Sequence, residues 1–251
     1  MAIGIFLSPS SQPWNACKFG DTEEIHMRML ANKIKNIFDK DKRFKCEVCP
    51  EFFSMTENQR LQKAVELSNN FYNAMGGNAY HIALHSDAFN SSASGFSCFY
   101  IGNGSGKNLA EKINKNLGVI SPWKSRALRE YPALYELKNT LASAVLIENN
   151  FHDEINQAIW LHNAIADDSL PKIYYKSSCE AENLEMLAFD EANTNNNVVK
   201  DDEKWKKDNI QFCLDIKILQ DKAWLSKQND SMPVYAVCTM FKNYHNLYGK
   251  K

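Results

Sequence analysis

The sequence predicts an α/β protein, a sheet flanked by helices, with a small helical module after it. Three observations carry this expectation. Short apolar runs that read as strands buried on both faces alternate with longer stretches of helical periodicity as far as about residue 181. Pro, Gly and capping residues punctuate the boundaries between them. The composition then changes at Asp190–Glu203, where three consecutive Asn sit among charged residues and read as a linker.

Residues 2–8, AIGIFLS, form a short apolar run that stops at Pro9, as a buried strand does. A polar loop follows, and Thr22 is placed to cap a helix opening at Glu23. That helix carries Ile25, Met29, Leu30, Ile34, Ile37 and Phe38 at helical spacing. Lys45–Val48 is strand-like. A second helix from about Thr56 to Ala74 buries Leu61, Ala64, Leu67 and Phe71 and ends at Gly76-Gly77. Tyr80–Ala88 and Gly95–Gly102 read as strands, with a helix from about Lys107 to Leu117 after them. The segment beyond, with its Pro, Arg and Ser, reads as a loop before the strand Ser143–Asn149. Two helical stretches, DEINQAIWLHNAIADD and about Leu170 to Ala181, close this part.

Composition removes several classes of function. Lys plus Arg is 29 against 30 for Asp plus Glu, a net charge of −1, so the basic footprint of a nucleic-acid binder is missing. No window of about 18 apolar residues exists, and no membrane span is expected. The first residues lack a basic n-region, so the chain is expected to be made in the cytoplasm without a signal peptide. The seven cysteines are odd in number and scattered, which suits reduced thiols. Cys46 and Cys49 form a lone C-x-x-C with no second pair for a zinc knuckle.

Active sites in such folds collect polar residues at strand ends and the loops after them. Three places qualify: the SPSSQPWN loop together with Glu23, the end of a strand at His85-Ser86-Asp87, and Glu148 at the end of the run AVLI. A carboxylate at the edge of the core costs several kcal/mol unless partnered, so Glu148 suggests a metal or a proton-handling task. Each has a plainer reading as well: a hydrogen-bonded strand-end histidine, or a Glu placed for the helix dipole.

In order, LSPSSQ, GDTEEIHMRMLA, HIALHSDAF and LYELKNTLASAVLIENNFHDE resemble the zinc-dependent N-acetylmuramoyl-L-alanine amidases of bacterial autolysins and phage endolysins. The resemblance runs from about Ile3 to Ala181. It implies a mixed twisted sheet flanked by helices, with a catalytic domain over 1–182, a linker over 183–203 and a small helical module over 204–251. It also implies Zn²⁺ as cofactor and bacterial peptidoglycan as substrate, cut between N-acetylmuramic acid and L-alanine. Matched residue by residue, Glu23 and His85 fall on metal ligands and Glu148 on the catalytic acid–base; Arg126 falls where the family often carries an Arg near the substrate. The family's usual first-loop His is replaced by Ser11. Gln12 is then a candidate ligand, though Gln is a poor one for zinc, and Ser10, Ser11 and Asn15 are candidate substrate contacts. Asn15 and His26 are further candidates for the missing ligand, His26 otherwise being an exposed helix residue. His81 shares a strand face with His85 but lies about 13 Å away along it, too far to share an ion. His152, His162 and His245 read as structural or surface residues. The other reading open to the sequence is a catalytically silent relative that binds peptidoglycan or a protein partner.

The tail, Lys200–Lys251, has ten Lys against seven acids and looks like two amphipathic helices. Its Trp205, Trp224, Tyr235, Tyr244 and Tyr248 could stack on wall sugars or fill a small core. Catalytic domain, linker and small module is the layout of many endolysins, which act on the wall after release from the cytoplasm.

Overall fold

A computed structural model describes residues 2–188 except 19 and 21. The chain divides into two units, 1–187 and 188–251. The predicted helical module, the linker beyond 188 and the tail's aromatic residues lie outside the described residues, as does His245.

The first unit is a three-layer α/β structure. Six strands stand in the order β2-β1-β3-β6-β4-β5: β1 (Ile3–Pro9), β2 (Phe44–Val48), β3 (Ala79–Asp87), β4 (Phe96–Tyr100), β5 (Ser125–Glu130) and β6 (Ser143–Phe151). All neighbours are parallel except β4 against β6, so the sheet is mixed, as expected. Helices α1 (Glu23–Phe38), α3 (Ser105–Ile120), α5 (Ile155–Ala166) and α6 (Ser169–Ala181) cover one face. Helix α2 (Glu57–Ala74) and the short α4 (Tyr135–Asn139) cover the other.

The elements form for the reasons legible in the residues. All of β1 is buried, which is why it reads as an unbroken apolar run. Thr22 caps α1 by accepting from the Ile25 amide, and Thr56 with Gln59 closes a reciprocal capping box on α2. Gly76 and Gly77, at φ 66° and 83°, take the left-handed backbone that ends α2. Gly4 lets β1 pass beneath that helix end: a Cβ there would lie 2.7 Å from Ala79 Cβ and 2.8 Å from Met75 and Phe71. Buried Cys46 and Cys49 are free thiols, packed in the core rather than paired.

Two elements depart from expectation. The segment read as loop contains β5 and α4. Strand β5, SRALRE, is an edge strand with no buried residue, so it carries no apolar pattern to betray it. Five residues make α4 too short to show a helical period.

Chain direction places the site. From β1 the chain crosses through α1 to β2 on one side, then through α2 to β3 on the other, with α1 and α2 on opposite faces. The C-terminal ends of β1 and β3 therefore open a crevice, the usual ligand position in such sheets. Next to it the β3–β6 register shifts beyond His85↔Glu148. Asn150 sits there at φ 134°, fully buried. Its neighbour Asn149 donates to the His85 carbonyl (3.1 Å) and accepts from the Tyr174 hydroxyl (2.6 Å). Such irregularities re-aim side chains beside active sites.

His26 corrects its plainer reading. It is not exposed on α1 but fully buried, its ring 5.6 Å from that of His162. Burial, with the nearby His152, pushes its pKa down to about 4. Since the folded value lies below the unfolded 6.5, the stability from keeping this ring neutral is present above pH 6.5 and lost as pH falls through about 4. Urea unfolding should therefore lose on the order of 3 kcal/mol over that window on account of this one group. His26→Leu should flatten the slope; an equal slope in both proteins would refute the assignment.

Candidate active site

Three acids from three elements meet the imidazole of His85. Glu23, 1% exposed, enters from the first turn of α1, and its Oε1 lies 2.9 Å from His85 Nδ1 and accepts from the Ser86 amide at 3.3 Å. Glu136, on α4, approaches the ring's opposite edge, its Oε2 3.7 Å from Nε2. Glu148 is the cross-strand neighbour of His85 on β6 and of Ser97 on β4, and its Oε2 is buried without a hydrogen-bond partner. His81, Ala83 and His85 alternate along β3 toward the face covered by α2 and α4, as Ala144, Leu146 and Glu148 do along β6.

A layer of supports stands behind these groups. The Ser8 hydroxyl, at the end of β1, donates to Glu136 Oε1 at 2.5 Å, and His81 Nε2 lies 3.3 Å from the same oxygen. The other nitrogen of His81 meets Ser68 Oγ on α2 at 2.9 Å. On the far side of His85, Asn15 Nδ2 donates to Glu23 Oε2 at 2.8 Å and to Gln12 Oε1 at 3.2 Å. Beside His85 a cleft of about 170 Å³ opens between the loops after β1 and β2, lined among others by Ser10, Gln12, Arg60, Tyr135 and Glu136.

The electrostatics follow from this packing. Burial favours the neutral His85 ring, but Glu136, Glu23 and Glu148 outweigh it and raise its pKa well above the ordinary value. Burial likewise works to raise Glu23 and Glu136. For Glu23 the hydrogen bond and charge of His85 prevail and hold it low; for Glu136, those of His81 and His85 do. Glu148 has no such compensation. Burial, with the charges of Glu23 and Asp87 added, pushes it up to about 8 against the pull of His85. One cluster thus holds carboxylates firmly ionised beside a carboxyl poised near neutrality, the division required for proton transfer.

The donor chemistry suits zinc in part. An imidazole and a carboxylate, Glu23 and His85, stand side by side, and the partnerless Glu148 oxygen lies in an acid-rich cluster short of positive charge. Among the described residues no three His, Cys, Asp or Glu converge as a group able to hold a metal ion. The two nitrogens of His85 face opposite carboxylates, so the acids line up along the ring instead of surrounding one point.

The other expected residues fall as follows. Gln12 lines the cleft but is engaged on both sides, its amide donating to Glu57 at 3.3 Å and its carbonyl accepting from Asn15. Asn15 is turned toward Glu23. Ser10 is buried next to Glu23, and the Ser11 carbonyl accepts from Arg60 at 3.3 Å. Arg126 is half-exposed on β5, its guanidinium 4.6 Å above the Phe151 ring and 3.8 Å from Asp87. His152 is buried against Ser86, at 2.9 Å. From the sequence, neither Ser8 nor Glu136 is singled out, and His81 is weighed only as a ligand sharing an ion with His85. The signal for Glu136 was an acid between the apolar Leu134 and Leu137, both packed beneath the sheet.

A sequence model described as N-acetylmuramoyl-L-alanine amidase matches residues 11–177. No curated protein sequence matches. Among solved structures the chain is similar to the N-acetylmuramoyl-L-alanine amidase of Clostridium difficile 630, at 17% identity and TM-score 0.62, over 74% of this chain and 99% of that one. It is similar to the catalytic domain of the amidase CwlV from Bacillus (Paenibacillus) polymyxa var. colistinus, at 13% and 0.61, over 73% and 99%. A third likeness is to the catalytic domain of the CD27L endolysin, which targets Clostridium difficile, at 22% and 0.58, over 74% and 99%. At these identities the structures establish the fold.

The raised pKa of Glu148 has a measurable consequence. Its folded value lies above the unfolded 4.5, so its contribution to stability is fully present below pH 4.5 and lost as pH rises through about 8. In chelator-treated protein at pH 8.5, Glu148→Gln should unfold later in urea than the parent, by on the order of 2–4 kcal/mol after allowance for partial exposure. The gap should narrow toward pH 5, and equal stabilities at both pH values would refute the burial assigned to this acid.

Proposed function

Because the chain belongs to the N-acetylmuramoyl-L-alanine amidase family, we propose that it hydrolyses, with zinc, the amide joining the lactyl group of N-acetylmuramic acid to the first L-alanine of the peptidoglycan stem. The observation that carries this reading is Glu148: a half-buried acid with an unpartnered oxygen, its pKa raised to about 8, in register with His85.

Glu23 and His85 would hold the ion, with the remaining protein donor on the first loop, where Gln12 lines the cleft. When bound there, zinc supplies an acidified water and polarises the scissile carbonyl. Glu148 accepts the proton of the attacking water as its oxygen bonds to the lactyl carbonyl carbon. It returns that proton to the alanine nitrogen as the C–N bond breaks. The products are a lactyl carboxylate on the sugar and a free L-alanine amine. Asn15 keeps Glu23 aimed at His85, while Ser10, Ser11 and Arg126 are proposed as substrate contacts.

The silent-binder reading is not favoured, since binding alone gives no reason to keep an acid where burial opposes its charge. Endolysin-type action, on the wall after release from the cytoplasm, is part of the same proposal. It is supported by the division of the chain into a larger first unit and a smaller second one.

Purified peptidoglycan provides the test. The parent should liberate L-alanine amino termini without new reducing sugar ends. Glu148→Ala should lower that rate by about 10²–10⁴-fold while binding zinc and walls as the parent does. Parent-like hydrolysis by Glu148→Ala would overturn the mechanism.

A further inference from the structure

We propose that Arg129, on the edge strand β5, is a specificity-determining residue that binds a free carboxylate on the second residue of the peptide stem, the one that follows the L-alanine. This rests on the peptidoglycan reading above and deepens it, since it names a charged group of the substrate and the side chain that reads it.

Register places Arg129 on the face of the sheet that carries the chemistry. Arg129 pairs with Phe99 on β4, Phe99 pairs with Leu146 on β6, and Leu146 precedes Glu148 by two residues on the same face. Phe99 packs there against Ala83, Leu137, Ala144 and Leu146. Two strand spacings of about 4.8 Å and two residues of about 3.3 Å set the Cα atoms of Arg129 and Glu148 roughly 12 Å apart. On this face α2 and α4 pack on β1, β3 and β6, whereas β5 has no buried residue and Arg129 is exposed. An open shelf therefore runs from Glu148 across β4 to the edge of the sheet.

The guanidinium on this shelf is held ready for an anion. It lies 4.9 Å from the centre of the Tyr131 ring and 5.6 Å from that of Phe99, and the two rings are 5.4 Å apart. Stacking on aromatic faces fixes the guanidinium plane and leaves its N–H fork open to a two-point bond with a carboxylate. No acid among the described residues pairs with Arg129. Its strand neighbour Glu130 accepts from the Gly102 amide at 2.9 Å instead. Arg126, nearer Glu148 at the slip in the β4–β5 register, faces Asp87 at 3.8 Å. The crevice around His85 is rich in acids, so an anionic part of the substrate is met outside it, by the cation on the shelf. Length selects which part. Contacts of about 3 Å at Glu148 and at Arg129, with two extended residues of about 3.5 Å between them, span about 13 Å. The first of those residues is the L-alanine, and the second carries the carboxylate.

The test uses two probes that differ in one group: N-acetylmuramoyl-L-alanyl-D-glutamate γ-methylamide, with a free α-carboxylate, and the same compound with an α-carboxamide. Binding is measured by calorimetry on the full-length chain carrying Glu148→Ala, so that neither probe is consumed. That chain should bind the carboxylate probe about 10-fold more tightly than the carboxamide. Adding Arg129→Gln should bring the two affinities together. Adding Arg129→Lys instead, which keeps the charge without the fork or the stacking, should keep part of the preference. Adding Arg126→Gln should lower both affinities alike and leave their ratio unchanged. If Arg129 served only to shield Phe99, its loss would change both affinities equally, so an unchanged ratio in Arg129→Gln overturns the inference. So would equal binding of the two probes, or binding of neither, by the Glu148→Ala chain. Loss of the preference in Arg126→Gln rather than in Arg129→Gln would assign the carboxylate to Arg126 and overturn it as well. Failure of the parent to release L-alanine amino termini from walls, with the preference present, would refute the amidase reading alone.

Discussion

The imidazole of His85 holds together a set of groups that would otherwise repel one another. Glu23, Glu136 and Glu148 come from α1, α4 and β6, and all three bear on this one ring. Carboxylates ranged along one ring and largely cut off from water repel one another. A neutral residue in place of His85 would leave that repulsion uncompensated. The raised pKa of the histidine and the lowered pKa of two of its acids are the same interaction seen from its two sides. Glu148 does not hydrogen-bond the ring, and its pKa is raised by burial first, with the charges of Glu23 and Asp87 added.

The fold brings these acids together through backbone register more than through side-chain reach. Parallel neighbours β1, β3 and β6 end at the same edge, so Glu148 stands level with His85, and Ser8, in register with Ala83, lies on the same face two residues earlier. The irregularity after His85 and Glu148 lets the chain leave the sheet there, with Asn149 tying the two strands through the His85 carbonyl and Tyr174. Tyr174 lies on α6, on the opposite side of the sheet, so the packing of the structural face fixes the geometry of the chemical one. Burial raises the pKa of its phenol well above the ordinary value, which keeps it a hydrogen-bond donor throughout.

Much of this was legible in the residues, for identifiable physical reasons. Glu23 follows a capping threonine, His85 closes an apolar run and Glu148 ends another; each stands where periodicity stops and polarity begins. Glu136 follows no such rule. Its helix has five residues, its burial comes from β1 and β3, and a contact 128 residues away in sequence, with Ser8, leaves no local pattern. The edge strand β5 was hidden for the opposite reason, being too exposed to need apolar residues. His81 was judged by its distance from His85 along one strand, a measure blind to a third residue bridging them from another element.

Histidine shows why residue type and spacing stop short of chemistry. His26 and His85 both lie beside the first helix or its cap region, and both are candidates by type. On α1, His26 is buried with its ring beside that of His162, and burial, with His152 nearby, drives its pKa down to about 4. On β3, His85 is just as much a core-edge residue, but it faces acids, and its pKa moves the other way. The difference is the charge on the opposing elements, which are distant in sequence. A residue that must stay neutral to preserve packing and one that must attract carboxylates to do chemistry therefore occupy the same kind of position. What separates them here is α4, a five-residue helix that places one buried acid behind one ring.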